Sequence, residues 1–179
     1  LHEKALNPFA FPSLTVMVAD DCASEPGDPG SPRRIVGGGF SFGMCAGYCL
    51  TEVTIEEGTV TLTRQAWADI TGEDLPDQMV VGELTDAGRE ALADLEVEVA
   101  TAALQTTYGC PDCADGGSGW VDVRTRETDR RSTFEYRDPP PELAEVDEFL
   151  WGLIETLREC RSDEVVTTGP GCVPADDPR

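Results

Sequence analysis

Two close-spaced cysteine pairs set in glycine-rich runs limit what this chain can fold into more than any other feature. The first run is Ser41-Phe42-Gly43-Met44-Cys45-Ala46-Gly47-Tyr48-Cys49 and the second is Tyr108-Gly109-Cys110-Pro111-Asp112-Cys113-Ala114-Asp115-Gly116-Gly117. Pairs of this kind serve as a disulfide framework, a four-thiolate metal site or a redox dithiol. In a continuous strand Cys45 and Cys49 would share a face about 13 Å apart, beyond bonding reach. A turn at Ala46-Gly47 brings them together. Cys110 and Cys113 bracket Pro111-Asp112, a favourable turn pair. Closing loops this small yields about 2 kcal/mol on the loop-entropy model, and cross-linking the two runs through ~60 residues would yield about 4 kcal/mol. Loop entropy therefore favours cross-pairing, whereas turn chemistry favours local Cys45–Cys49, Cys110–Cys113 and Cys160–Cys172 pairs. The local pairing is the expectation taken forward.

The seven cysteines also bear on compartment. Setting Cys22 aside leaves an even six, which suits three disulfides in an oxidising environment. Residues 1–22 read as an export signal. Lys4 supplies positive charge, and Ala5 to Ala19 is mostly apolar but too short to span a bilayer as a stable helix. Cys22 then precedes a flexible linker, residues 23–34, rich in Pro, Gly, Ser and charge. That order resembles a bacterial lipoprotein precursor in which Cys22 is lipidated, although Asp20 and Asp21 stand where small residues precede the cysteine in such proteins. The expected location is extracytoplasmic, either secreted or lipid-anchored in the bacterial envelope. Membrane contact is expected only through the anchor.

Charge excludes one class of partner. Thirty-five acidic residues against thirteen basic ones give a formal charge of -22. Such a surface repels nucleic-acid phosphates, so nucleic-acid binding is not expected. A protein or envelope component is the partner class that remains.

Residue patterning predicts an α+β domain over 35–160 with a C-terminal tail, residues 161–179. Arg34 to Phe42 reads as a strand whose glycines permit close backbone approach. Leu50 to Glu56 and Thr59 to Arg64 alternate and are rich in Thr and Val, and Glu57-Gly58 between them makes a hairpin. Thr85 to Thr106 reads as a helix capped by Thr85, with Leu84, Leu92, Leu95, Val99 and Leu104 at near-helical spacing. Gly119 to Arg124 and Ser132 to Tyr136 predict a second hairpin around a charged turn. Glu142 to Arg158 predicts a second helix with an apolar stripe, acids in its first turn and Arg158 in its last. The predicted order is ββ(β)αββα, a mainly antiparallel sheet built from hairpins with two packed helices.

A strand ending Phe42-Gly43-Met44-Cys45-Ala46-Gly47-Tyr48-Cys49, together with the loop Cys110-Pro111-Asp112-Cys113-Ala114-Asp115-Gly116-Gly117, resembles an uncharacterised family of exported bacterial proteins, many of them lipoproteins. The resemblance covers about residues 36 to 158. It implies an envelope location and transfers no activity.

The absences narrow the chemistry further. His2 and Lys4 are the only histidine and lysine. Ser-His-Asp and Cys-His catalysis, the HExxH zinc-protease pattern and lysine Schiff-base chemistry are therefore not expected downstream of Cys22. A four-thiolate zinc site from Cys45, Cys49, Cys110 and Cys113 is the alternative, or a redox dithiol at Cys110-Pro111-Asp112-Cys113. The latter follows a helix and enters an acidic loop, surroundings that raise a thiol pKa. Asp112, Asp115 and Asp122, with the nearby glycines, form a candidate Ca²⁺ site, although a polar turn accounts for the same residues. The sequence reading is thus a non-catalytic, disulfide-stabilised binding or structural module with no required cofactor.

Overall fold

The computed structural model describes residues 34–67, 75–125 and 129–174. Residues 1–22, Cys22 among them, and nearly all of the 23–34 linker lie outside the described residues. The elements are β1 (Arg34–Ser41), β2 (Tyr48–Glu56), β3 (Thr59–Ala66), β4 (Gln78–Leu84), α1 (Asp86–Thr101), β5 (Ser118–Arg124), β6 (Asp129–Glu135), α2 (Ala144–Arg158) and β7 (Val166–Thr168). The strands form one seven-stranded antiparallel sheet in the order β6-β5-β1-β2-β3-β4-β7. The architecture is α+β, with the two helices packed on the sheet. Among the described residues no helix is long and apolar enough to cross a membrane.

The period-2 pattern explains which sheet face is covered. Val53 and Ile55 of β2, Val60 and Leu62 of β3, and Val121 and Val123 of β5 all point into one core cluster. Leu95 and Val99 of α1 and Leu150, Leu153, Ile154 and Leu157 of α2 close that cluster from above. The β2–β3 hairpin is pinned by Glu57 and Gly58. Both have positive φ (52° and 95°) between the paired residues Glu56 and Thr59, as a type I′ turn requires. Helix α2 can lie close to the sheet because two strands carry glycine beneath it. A β-carbon on Gly38 of β1 would stand 2.7 Å from Leu150 Cδ1, and one on Gly82 of β4 would stand 2.7 Å from Leu157 Cδ2.

Three features differ from the sequence expectation. Gln78–Leu84 is strand β4, so Leu84 ends a strand instead of opening the helical stripe. Helix α1 stops at Thr101, not Thr106, because the following segment docks elsewhere. There Leu104 is buried in the core, Gln105 O accepts from Ser132 Oγ at 2.7 Å, and Tyr108 N donates to Thr133 O at 2.9 Å. These bonds to β6 outweigh one more turn of helix and cover part of that edge strand. Lastly, part of the segment expected to be tail joins the sheet as β7, paired with β4 through Gly82, Glu83 and Leu84. The observed order is ββββαββαβ.

The loop that delivers β7 is organised by Asp163. Its carboxylate accepts from Val165 N (2.8 Å), Val166 N (2.9 Å) and the Thr156 hydroxyl of α2 (2.8 Å). Burial pushes this carboxyl up, but the hydrogen bonds from Val166, Val165 and Thr156, with the nearby Arg161 guanidinium, outweigh it and hold it below its ordinary value. Thr85 caps α1 as its sequence position suggests, accepting from Gly88 N at 3.0 Å.

Candidate functional site

The two cysteine runs meet at one end of the sheet. Ser41, the last residue of β1, is the register partner of Ser118, the first residue of β5, and their hydroxyls lie 3.2 Å apart. The first run leaves β1 at this point, and the second feeds β5. Each run folds on its own cysteines. Cys45 pairs with Cys49 at a Cα–Cα distance of 5.6 Å, and Cys110 with Cys113 at 5.5 Å. The third pair, Cys160–Cys172, has a Cα–Cα distance of 5.7 Å and ties the end of α2 to the segment after β7. The pairing is local throughout, as turn chemistry predicts and loop entropy does not. Each sulfur of the two runs thus has a covalent partner within its own run.

The second loop has an unusual backbone. Asp112, Ala114 and Asp115 all occupy the left-handed region, with φ of 60°, 54° and 58°. Such conformations cost about 1–2 kcal/mol for a residue with a β-carbon, so the surroundings must hold them. The loop's own bonds do part of this: Asp112 N donates to Gly117 O at 3.0 Å and Gly116 N to Cys113 O at 3.1 Å. Glu135 of β6 helps by accepting from Cys110 N at 3.0 Å. The side chain of Asp112 reaches toward the first loop; a β-carbon on Gly43 would stand 3.1 Å from its Oδ2. Gly117 (φ 81°) lies directly against the ring of Phe42.

Under these loops lies an aromatic cluster. Phe40 of β1 and Phe42 of the first run pack with Tyr136 at centroid distances of 5.4 and 4.7 Å, and Phe40 meets Trp151 of α2 at 5.1 Å. The Arg137 guanidinium stacks over Trp151 at 4.2 Å. Trp67, just past β3, donates its indole N–H to Phe42 O at 2.8 Å. Met44 is 67% exposed at the tip of the first loop, and Trp67 is 37% exposed beside it. Two titrations are perturbed here. Burial raises the Asp147 carboxyl, opposed by Arg137, and burial raises the Tyr136 phenol, again opposed by Arg137.

The candidate cation ligands are not all neighbours. Asp112 and Asp115 share the second loop, both exposed. Asp122 lies four residues along β5, where it makes a two-pronged ion pair with Arg131 at 2.8 and 2.8 Å. Arg131 in turn covers Trp120 at 4.5 Å. Among the described residues no three His, Cys, Asp or Glu side chains converge as metal ligands would. Trp120 is buried on a strand, as its position suggests, whereas Trp151 belongs to the aromatic cluster. Sequence reasoning did not single out Tyr136, Arg137 or Asp147. The alternation of Phe40 in β1 with Phe42 just past it was one signal for the cluster and the tryptophans Trp67 and Trp151 were another; Tyr136 arrives just after β6 and Trp151 from α2. Chemically, this end offers a rigid surface of aromatic rings, a thioether, backbone carbonyls and carboxylates. Comparison of the chain with protein-family models, curated proteins and solved structures finds no match.

Proposed function

We propose that this chain is an exported, non-catalytic binding module of the bacterial envelope, and that its binding surface is the end of the sheet where the two cysteine runs meet. The observation that carries the reading is the convergence of two separately clamped loops over an aromatic cluster, with Met44 and Trp67 left exposed. Aromatic residues, Met and Arg are the types enriched at recognition surfaces, and clamped loops lose little entropy when they bind. Extracytoplasmic location is supported by the three disulfides and by the export-like segment 1–22. The partner on this reading is a protein or other envelope component, and Cys22 is the candidate anchor. The non-catalytic reading is supported by the lack of histidine and lysine after Cys22.

Site-specific photo-crosslinking in producing bacteria tests the reading. A photoreactive residue at Met44 is compared with one at Val97, which is 71% exposed on α1. Discrete crosslinked species from position 44 and none from position 97 are expected, in the envelope or secreted fraction. Equal crosslinking at both positions, or none at 44, overturns the surface assignment. Recovery of the oxidised protein only from the cytoplasm overturns export.

A further inference from the structure

We propose that the groove between α1 and α2 is a docking site for a basic amphipathic helix of a partner protein. This goes beyond the loop-end reading and does not rest on it. The groove encloses about 620 Å³, within the size range of ligand-binding clefts. Each helix lines it with an i, i+3, i+4, i+7 row: Ala91, Asp94, Leu95 and Glu98 on α1, and Glu145, Glu148, Phe149 and Gly152 on α2. Each row is about 10 Å long, the span of two turns of a third helix.

Floor and rim have opposite chemistry. Leu95 and Leu153 belong to the core cluster and Phe149 packs against it, so the floor is apolar. The depression itself sits at Gly152, which is exposed and would have no atom within 4 Å of an added β-carbon. The rim carries Asp94, Glu98, Glu145 and Glu148, Asp163 also lines the groove, and among the described residues no basic one does. Among the described residues none of these four makes an ion pair. On each helix the two acids stand three or four residues apart, a spacing at which like charges repel and salt does not fully screen them. A ligand with an apolar stripe flanked by Lys and Arg satisfies both parts at once, in the helix-in-groove mode. Charge disfavours the other occupants. A second copy would set acid against acid, and an anionic lipid surface would be repelled.

The test uses the oxidised full chain and a fluorescent 18-residue helical peptide of leucine and lysine, patterned as an amphipathic helix, with binding read by anisotropy. Saturable binding at about 50 mM NaCl that weakens about tenfold by about 300 mM is expected. Gly152→Arg should weaken binding more than about tenfold, because it fills the depression and adds a cation, while Gly152→Ala should leave it unchanged. Both substitutions fall at an exposed, unobstructed helix position, so folding is preserved. The triple variant Glu98→Gln/Glu145→Gln/Glu148→Gln should also weaken binding more than about tenfold. Its control, Glu56→Gln/Glu57→Gln/Glu83→Gln, changes net charge equally and should not. Equal loss in the two triple variants means general attraction to an acidic protein and overturns the proposal. So does binding that survives Gly152→Arg, and so does no binding at low salt.

Discussion

Gly117 of the second cysteine loop lies against the ring of Phe42 in the first, so closely that a β-carbon on it would stand 2.5 Å from Phe42 Cδ1 and Cε1. The position also has φ of 81°, which a β-carbon strains. Gly117→Ala is therefore expected to cost about 2–4 kcal/mol, the sum of left-handed strain and a displaced ring. Urea denaturation measures this, and a cost below about 1 kcal/mol would show that the loops do not interlock at this point.

The three disulfides should contribute unequally. On the loop-entropy model the thirteen-residue loop closed by Cys160–Cys172 gives about 3 kcal/mol, and each of the two shorter loops gives about 2 kcal/mol. The Cys160→Ser/Cys172→Ser variant should lower the melting temperature most, since it also frees the segment that carries β7. Alkylation of unreduced protein should label at most Cys22. Four or more reactive thiols together with stoichiometric zinc would instead revive the four-thiolate alternative.

Asp163 should make stability pH-dependent in a known direction. Its folded pKa is lowered, so its contribution is present above the unfolded value of about 3.9 and is lost as pH falls through that value toward the folded one. Asp163→Ala should cost about 1 kcal/mol at neutral pH through lost hydrogen bonds. The gap between variant and parent should narrow below about pH 4. A gap that stays constant down to pH 2 would mean that the carboxylate charge plays no part.

Calcium should act no more strongly than magnesium. Asp122 is engaged by Arg131, which leaves Asp112 and Asp115 as the only members of the candidate set in the loop. Millimolar Ca²⁺ and Mg²⁺ are expected to shift the melting temperature equally, as screening of an acidic surface would. A rise specific to Ca²⁺ that Asp112→Asn/Asp115→Asn removes would restore the loop as a cation site.

What the sequence revealed depended on how local each feature is. The β2–β3 hairpin is written in one contiguous stretch, Leu50 to Arg64, as Thr and Val alternation around Glu57-Gly58, and its register is the one that turn dictates. The helix starting after Thr85 and the stripe of α2 were legible for the same reason. Strand β4 was not, because Leu84 also fits the spacing of the following helix, and β7 is only three residues long. The early end of α1 depends on Ser132 and Thr133, thirty residues away, and no local signal could supply it. The candidate surface divides likewise. The cysteine pairs were visible and pair locally, but their convergence depends on β1 meeting β5.

That β1–β5 pairing has a kinetic meaning. Strands β1 to β4 are consecutive neighbours and can zip as a meander while the rest of the chain is still unfolded, and β5–β6 is a separate hairpin. The seam between these halves joins Ser41 to Ser118 across nearly eighty residues, and among the described residues no disulfide spans it. One cysteine loop hangs on each side. The chain can therefore oxidise all three pairs and still lack the candidate surface, which comes into being only when the seam closes and disappears when the seam opens.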